Sequence, residues 1–371
     1  MRRRFTGERP GWRARVEAQG LLFHALDGDR RYWAEGVYYE LSPDEVDALD
    51  HATREIQAMC LEAVRVVIAE ERYAELGVPP MAVPLIERAW REAPPSIYGR
   101  LDLALGPDGV PKLLEYNADT PTSLLEAAVI QWSWLEDCFP ALDQYNSMHD
   151  RLVATWRSLA DRLGPLVYFG HVASVEDEMT IAYLRDTAEQ AGLATAALLM
   201  QEIGWDGRFV DTAGRPLRAL FKLYPWEGLL ADEFAPHIAE APQLRWIEPA
   251  WKLLLASKGI LGLLWRLFPD HPNLLPAARH PLDGAWVRKP FFGREGSNVT
   301  VAANDVNLTT SGPYESGDFV YQAYTELGEH DGLRPVLGSW IIGGEAAGIG
   351  IRECAGYVTD NTASFVPHVI A

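Results

Sequence analysis

With 371 residues, 48% hydrophobic and 23% charged, the chain has the composition of a soluble globular protein large enough for two or three lobes. A net charge of −19 argues against nucleic acid or an anionic membrane as partner, and no apolar run is long enough to cross a bilayer. Cys60, Cys138 and Cys354 lie far apart with neither metal spacing nor an even disulfide set, and the basic start MRRRFTGERPGW has no apolar segment behind it; a cytoplasmic location is expected.

Patterning is weak until Ser42-Pro43-Asp44-Glu45, a capping box with proline at the first helical position. Val46, Leu49, Ile56, Cys60, Ala63 and Val67 follow at helical spacing and predict a long helix over 43–73. Gly77, Pro79 and Pro80 end it, and a shorter helix over 84–91 follows.

The stretch 98–126 organises the chain. Ile97, Gly99, Leu101, Leu103 and Leu105 alternate with Tyr98, Arg100, Asp102 and Ala104, the period of a strand. Gly106-Pro107-Asp108-Gly109 is turn chemistry, and 111–117 returns as a second strand. A Pro107-Asp108 loop would set Asp102 opposite Leu113 and Arg100 opposite Glu115, with Asn117 further along the same face. Neighbours in such a pair lie roughly 5–8 Å apart, so Arg100, Asp102, Glu115 and Asn117 can converge. Two carboxylates and an amide oxygen suit magnesium, and the arginine suits a phosphate; a salt-bridged surface hairpin is the plainer alternative. Thr120 then reads as an N-cap with Pro121 as the first helical residue, so that Thr120, Thr122 and Ser123 fringe an anion-friendly helix start.

From about 151 the pattern alternates between helix and strand: a helix over 152–163, strands over 166–169, 193–200 and 217–223, and a helix opened by the cap at Ser174. This implies a small, partly parallel sheet. Glu176, Asp177 and Glu178 suit the helix dipole, while Glu178 is also a candidate for holding an amine. Lys258 precedes an apolar helix, a poor place for a cation unless an anion is bound there. The strand–loop–strand 286–301 carries Lys289 and the glycines Gly293 and Gly296, with Arg294, Ser297 and Asn298 between and after them. Its backbone could approach a triphosphate, although the P-loop spacing is absent and a plain turn is an equal alternative. Gln322 sits on a strand that exits into polar residues, where adenine could be read. Residues 335–352 form a hairpin around Gly343-Gly344, with Arg352 at its far end.

In order and content these segments resemble the glutathionylspermidine synthase family. The matching residues are Arg100-Leu101-Asp102, Glu115-Tyr116-Asn117-Ala118-Asp119-Thr120, Ser257-Lys258, Lys289-Pro290, Gly293 to Asn298, Tyr321-Gln322 and Gly348-Ile349-Gly350-Ile351-Arg352, spread over 98–368. The resemblance implies an α/β ATP-grasp fold in permuted order with an added small α/β lobe. It divides the chain into a helical and hairpin region at 1–150, the small lobe at 151–250 and a nucleotide lid with the C-terminal hairpin at 251–371. It implies an ATP-dependent ligase joining a peptide-like acid to an amine. Asp102, Glu115 and Asn117 would hold magnesium, Arg100 and Arg352 would contact the transferring phosphoryl group, and Lys258, Lys289 and the 293–298 loop would clamp phosphates. Gln322 would read adenine. The bifunctional members carry a cysteine where this chain has Ser123, and they carry an amidase domain for which no room is expected here, so neither glutathione nor spermidine is assumed. A non-catalytic nucleotide-binding protein or a small-molecule kinase are the alternatives.

Overall fold

The computed structural model describes residues 1–25, 31–93, 96–303 and 306–371. It is a mixed α/β protein built, among the described residues, on two five-stranded sheets, a four-stranded sheet and two smaller ones.

The strands Tyr98–Leu105 and Pro111–Asn117 form the expected hairpin, but the first strand is buried on both faces. The reason is a partner from the other end of the chain. Arg334–Ile342 pairs antiparallel with Tyr98–Leu105, and Glu345–Cys354 and Ser364–Val366 continue the same five-stranded sheet. The C-terminal hairpin therefore joins the N-terminal one, not the strands that precede it in sequence. The helix Pro43–Ala69 lies against this sheet, opened by the capping box in which Glu45 N donates to Ser42 Oγ and Ser42 N to Glu45 Oε2. Its apolar stripe, including Leu49, Ile56, Cys60 and Val67, is fully buried.

The hairpin register differs from the one expected. Leu105 pairs with Pro111 and Leu103 with Leu113, but Asp102 then pairs with Glu115 and Arg100 with Asn117. Leu114 is the extra residue of a bulge, which shifts the register by one on one strand. The four polar residues still share a face.

The second lobe is a parallel sheet in the order Arg245–Ile247, Ala219–Leu223, Leu166–His171, Ala194–Leu199. It is wholly parallel, with Arg245–Ile247 a strand too short to register in the sequence. A buried ion pair joins it to the hairpin. Lys222 Nζ donates to Asp119 Oδ1 (2.6 Å), and Trp226 N donates to Asp119 Oδ2 (2.8 Å). Both side chains are essentially inaccessible, and burial lowers the Lys222 pKa although Asp119 opposes the shift. Removing one partner of such a pair strands a buried charge, at a cost of about 3–5 kcal/mol. Asp119→Ala should therefore lower the urea midpoint sharply, and Asp119→Ala combined with Lys222→Met should recover much of the loss.

The third unit is the antiparallel sheet Ala277–Ala278, Phe319–Ala323, Trp286–Pro290, Thr300–Ala303, Val306–Thr309. The N-terminal segment, expected to be weakly structured, is ordered by tertiary pairing. Arg2–Phe5 and Val37–Leu41 form a sheet with the C-terminal strand His368–Ile370.

Candidate active site

The first hairpin, the C-terminal hairpin and the third sheet enclose one cleft. On its floor Arg100 Nε donates to Asp102 Oδ1 (2.6 Å), and Arg352 Nη2 reaches Asp102 Oδ2 (2.8 Å) from two strands away. Asn117 Nδ2 bridges the two carboxylates, 3.3 Å from Asp102 and 3.0 Å from Glu115. From the opposite wall Lys258 Nζ lies 3.1 Å from Glu115 Oε2 and donates to Gly293 O (2.7 Å). Burial alone would raise the Glu115 carboxyl, but Lys258 and Lys289 hold it well below the usual range. Four cations face two carboxylates, so the cleft keeps a surplus of positive charge of the sign an anionic ligand needs.

Lys289 Nζ donates to Leu114 O and to Gln322 Oε1, both at 2.8 Å, while Gln322 Nε2 donates to Leu113 O (2.8 Å). The bulge at Leu114 is what turns these two carbonyls toward the third sheet. Gln322 is buried, with one amide N–H engaged by Leu113 O and one oxygen lone pair by Lys289, so its side chain steadies Lys289 while it still lines the cleft. Burial pulls the Lys289 ammonium down to about 8, against the pull of Glu115. Lysine binds phosphate only when charged, so nucleotide affinity should be greatest below pH 8 and fall as pH rises through it. Calorimetry with a non-hydrolysable ATP analogue between pH 7 and 9.5 should show this decline. Lys289→Ala should raise Kd at pH 7 and abolish the decline.

Thr120, Thr122, Ser123, Arg294, Gly296 and Ser297 also line the cleft. Gly296 has φ +68, and a Cβ there would meet Val358 Cγ1 at 2.7 Å and Thr359 O at 2.9 Å, so only glycine fits. Arg294 is held by Glu227 (2.6 Å) and Thr120 Oγ1 (2.9 Å). Thr120 is not an N-cap. The chain stays irregular through Ser123, whose φ is +67, and helix begins at Leu124. The stretch 120–123 is thus a loop whose Thr122 carbonyl accepts from Arg100 Nη1 (2.5 Å).

Two expected residues stand outside. Asn298 turns its Oδ1 to accept from Tyr314 N (2.7 Å) and steadies a neighbouring loop. Glu178 is exposed and lines a separate groove beside Trp132 and Tyr183. Residues two apart on a helix point about 200° apart, and it is Glu176 that faces the cleft. Burial, together with Glu126 and Asp177, pushes the Glu176 carboxyl up to about 7. At a helix start Glu176 carries only the signal of a dipole partner, and the helix phase alone separates the two glutamates. Tyr32, also on the cleft wall, was missed because nothing in its own stretch marks it.

A mixed α/β protein with arginines, lysines and carboxylates crowded into one cleft is equipped for anionic, phosphate-bearing substrates. The glutathionylspermidine synthase preATP-grasp family profile matches residues 3–371. The chain belongs to the glutathionylspermidine synthase family, and it is an acid–amine ligase of that ATP-dependent family. It is 39% identical over 359 residues to a Haemophilus influenzae protein named "Putative acid--amine ligase", covering 91% of this chain and 90% of that one. It is 28% identical over 331 residues to trypanothione synthetase of Crithidia fasciculata, covering 80% of this chain and 50% of that one. The bifunctional glutathionylspermidine synthetase/amidase of Escherichia coli is 26% identical over 368 residues, with 90% of this chain and 59% of that one covered. The chain thus spans only about half to three-fifths of the last two relatives. Among the described residues no helix is long and apolar enough to cross a membrane.

Proposed function

We propose that the protein is an ATP-dependent carboxylate–amine ligase with a permuted ATP-grasp arrangement, working through an acyl phosphate. The observation that carries this reading is the convergence of Arg100, Asp102, Glu115, Asn117 and Arg352 on one face of one sheet, opposite Lys258 and Lys289. The γ-phosphoryl of ATP passes to a substrate carboxylate, an amine attacks the acyl carbon, and amide, ADP and phosphate leave. Phosphoryl transfer asks chiefly for positioning and charge neutralisation, which these side chains can supply. The division at about residues 150 and 250 into hairpin region, α/β lobe and lid belongs to the same reading.

Among the described residues no three His, Cys, Asp or Glu side chains converge as a metal site. A magnesium ion would rest on Asp102, Glu115 and Asn117, a small hard-oxygen set of the kind magnesium uses when substrate phosphates complete its shell. The three side chains lie within hydrogen-bond reach of one another, and turning the Asn117 amide over would bring Oδ1 to the place where Nδ2 now bridges the carboxylates. The ion would offset phosphate charge when bound.

Lys258, Lys289, Gly293, Gly296 and Ser297 are assigned to the phosphates. Adenine is assigned to the apolar end of the cleft beside Val287, Leu327 and Val336. Thr120, Thr122 and Ser123 form the wall for the reacting carboxylate, and Arg294 suits a second acidic group, favouring a peptide-like acid. Glu176 replaces Glu178 as the carboxylate that would meet a cationic amine. The test is to incubate the protein with Mg-ATP, a pool of dipeptides and γ-glutamyl compounds, and a pool of polyamines and amino acids. Release of ADP with a new amide is expected. Nucleotide binding without ADP release for any pairing, or a stable phosphate ester, would overturn the ligase reading.

A further inference from the structure

Tyr32 has no part in the assignments above, yet its phenol is fixed on the cleft wall. Phe365 N donates to Tyr32 O (2.6 Å), and the ring packs on Phe23 with centroids 4.6 Å apart. The hydroxyl donates to Glu126 Oε1 (2.5 Å) and lies 3.1 Å from Ser123 Oγ. Tyr32 and Ser123 line the cleft, while Glu126 lies behind them, only 3% exposed. Glu126 opens a single π-helical turn, Glu126–Ile130, three residues after Ser123 with its φ of +67. Such turns and left-handed side-chain-bearing residues recur at functional sites. Here they bring a hydroxyl and a carboxylate within reach of one phenol.

The direction of this chain follows from its chemistry. An ionised carboxylate only accepts, so the single phenolic proton is committed to Glu126. The phenol oxygen then accepts from the Ser123 hydroxyl, which leaves a serine lone pair toward the cleft. In this state the chain can take an N–H from the cleft and pass a proton inward, whereas it cannot donate to a substrate carboxylate.

We infer that Ser123, Tyr32 and Glu126 form a relay that takes the proton from the attacking amine. This rests on the acyl-phosphate reading. The amine nitrogen bonds to the acyl carbon, and the carbon–oxygen bond to phosphate breaks with the electron pair leaving on phosphate. The nitrogen enters as an ammonium. One proton passes to Ser123 Oγ as the serine proton goes to Tyr32 and the phenolic proton to Glu126. The second, lost as the amide forms, leaves on the phosphate. Burial raises the Glu126 carboxyl, against the hydrogen bond from Tyr32 and the charges of Arg100 and Arg352, and so makes it a stronger base. The other charged group facing the relay is Glu176, from the helix Val175–Gln190. Ser123 touches the reacting groups, whereas Tyr32 and Glu126 act through it as positioning and proton-accepting residues.

The test compares two nucleophiles against one pool of acids, glutathione with γ-glutamyl and α-linked dipeptides. Hydroxylamine is uncharged at neutral pH and needs little help to attack; spermidine and putrescine enter as ammonium ions. Tyr32→Phe and Glu126→Gln should lower amide formation about 10²-fold while hydroxamate formation falls less than about threefold. Retained hydroxamate also shows that the variants fold. The amide deficit should narrow as pH approaches the amines' own pKa. Parallel loss of both products, or no loss of either, would overturn the relay. Absence of hydroxamate and ADP from the unaltered protein with every acid would instead overturn the ligase reading, and the relay with it.

Discussion

Arg352→Ala is expected to lower kcat about 10²–10³-fold while leaving affinity for an ATP analogue nearly unchanged. Arg352 stands on the strand Glu345–Cys354, paired with Val336 on one side and Phe365 on the other, so its backbone is held by two neighbours. Its guanidinium reaches the carboxylate of Asp102, yet Asp102 keeps two bonds from Arg100 without it. In the proposed assignment the ground-state grip on ATP falls to Lys258 and Lys289 on the facing wall. In the same assignment Arg352 would add a donor where charge develops during transfer, and a contact made mainly in the transition state appears in kcat. Burial and the nearby Arg100 lower the Arg352 pKa, while Asp102 opposes them, so Arg352→Lys, which lacks the fork, should recover little. Steady-state kinetics with analogue binding on the same variants checks this; normal turnover by Arg352→Ala would remove it from the site.

Asp102→Asn and Glu115→Gln should each cost on the order of 10³-fold in turnover with opposite effects in two binding assays. With magnesium present, analogue affinity should fall. With a chelator present it should hold or improve, because each substitution removes a negative charge from the place where phosphates sit. Asp102→Asn leaves the buried Arg100 and the neighbouring Arg352 without their counter-charge and should lower the melting temperature, whereas Glu115→Gln, at a more exposed carboxylate, should move it little. Calorimetry with and without magnesium makes the comparison, and equal losses in both conditions would speak against a metal-holding role.

The convergence of Arg100, Asp102, Glu115 and Asn117 was legible because a strand's period of two is local and turn chemistry sets the return. The register was not, because the bulge at Leu114 is fixed by long-range partners. Asn273 O accepts from Leu113 N, and Lys289 and Gln322 bond the carbonyls of Leu114 and Leu113. The helix start failed for a related reason. Thr120-Pro121 is good capping chemistry, but Arg100 takes the Thr122 carbonyl and Tyr32 meets the Ser123 hydroxyl, and these contacts hold the segment as a loop. The choice between Glu176 and Glu178 turned on the phase of a helix whose start was read correctly at Ser174. The N-terminal strands were invisible because Val37–Leu41 finds its partner in His368–Ile370, at the far end of the chain.

The central claim is that phosphoryl passes from ATP to a carboxylate before the amide forms. It is tested most directly by oxygen-18 transfer, using a carboxylate-labelled acid that supports ADP release and hydroxylamine as the nucleophile. The account predicts one labelled oxygen in the inorganic phosphate for each hydroxamate formed. Unlabelled phosphate alongside hydroxamate, with the displaced carboxylate oxygen appearing in water instead, would contradict it.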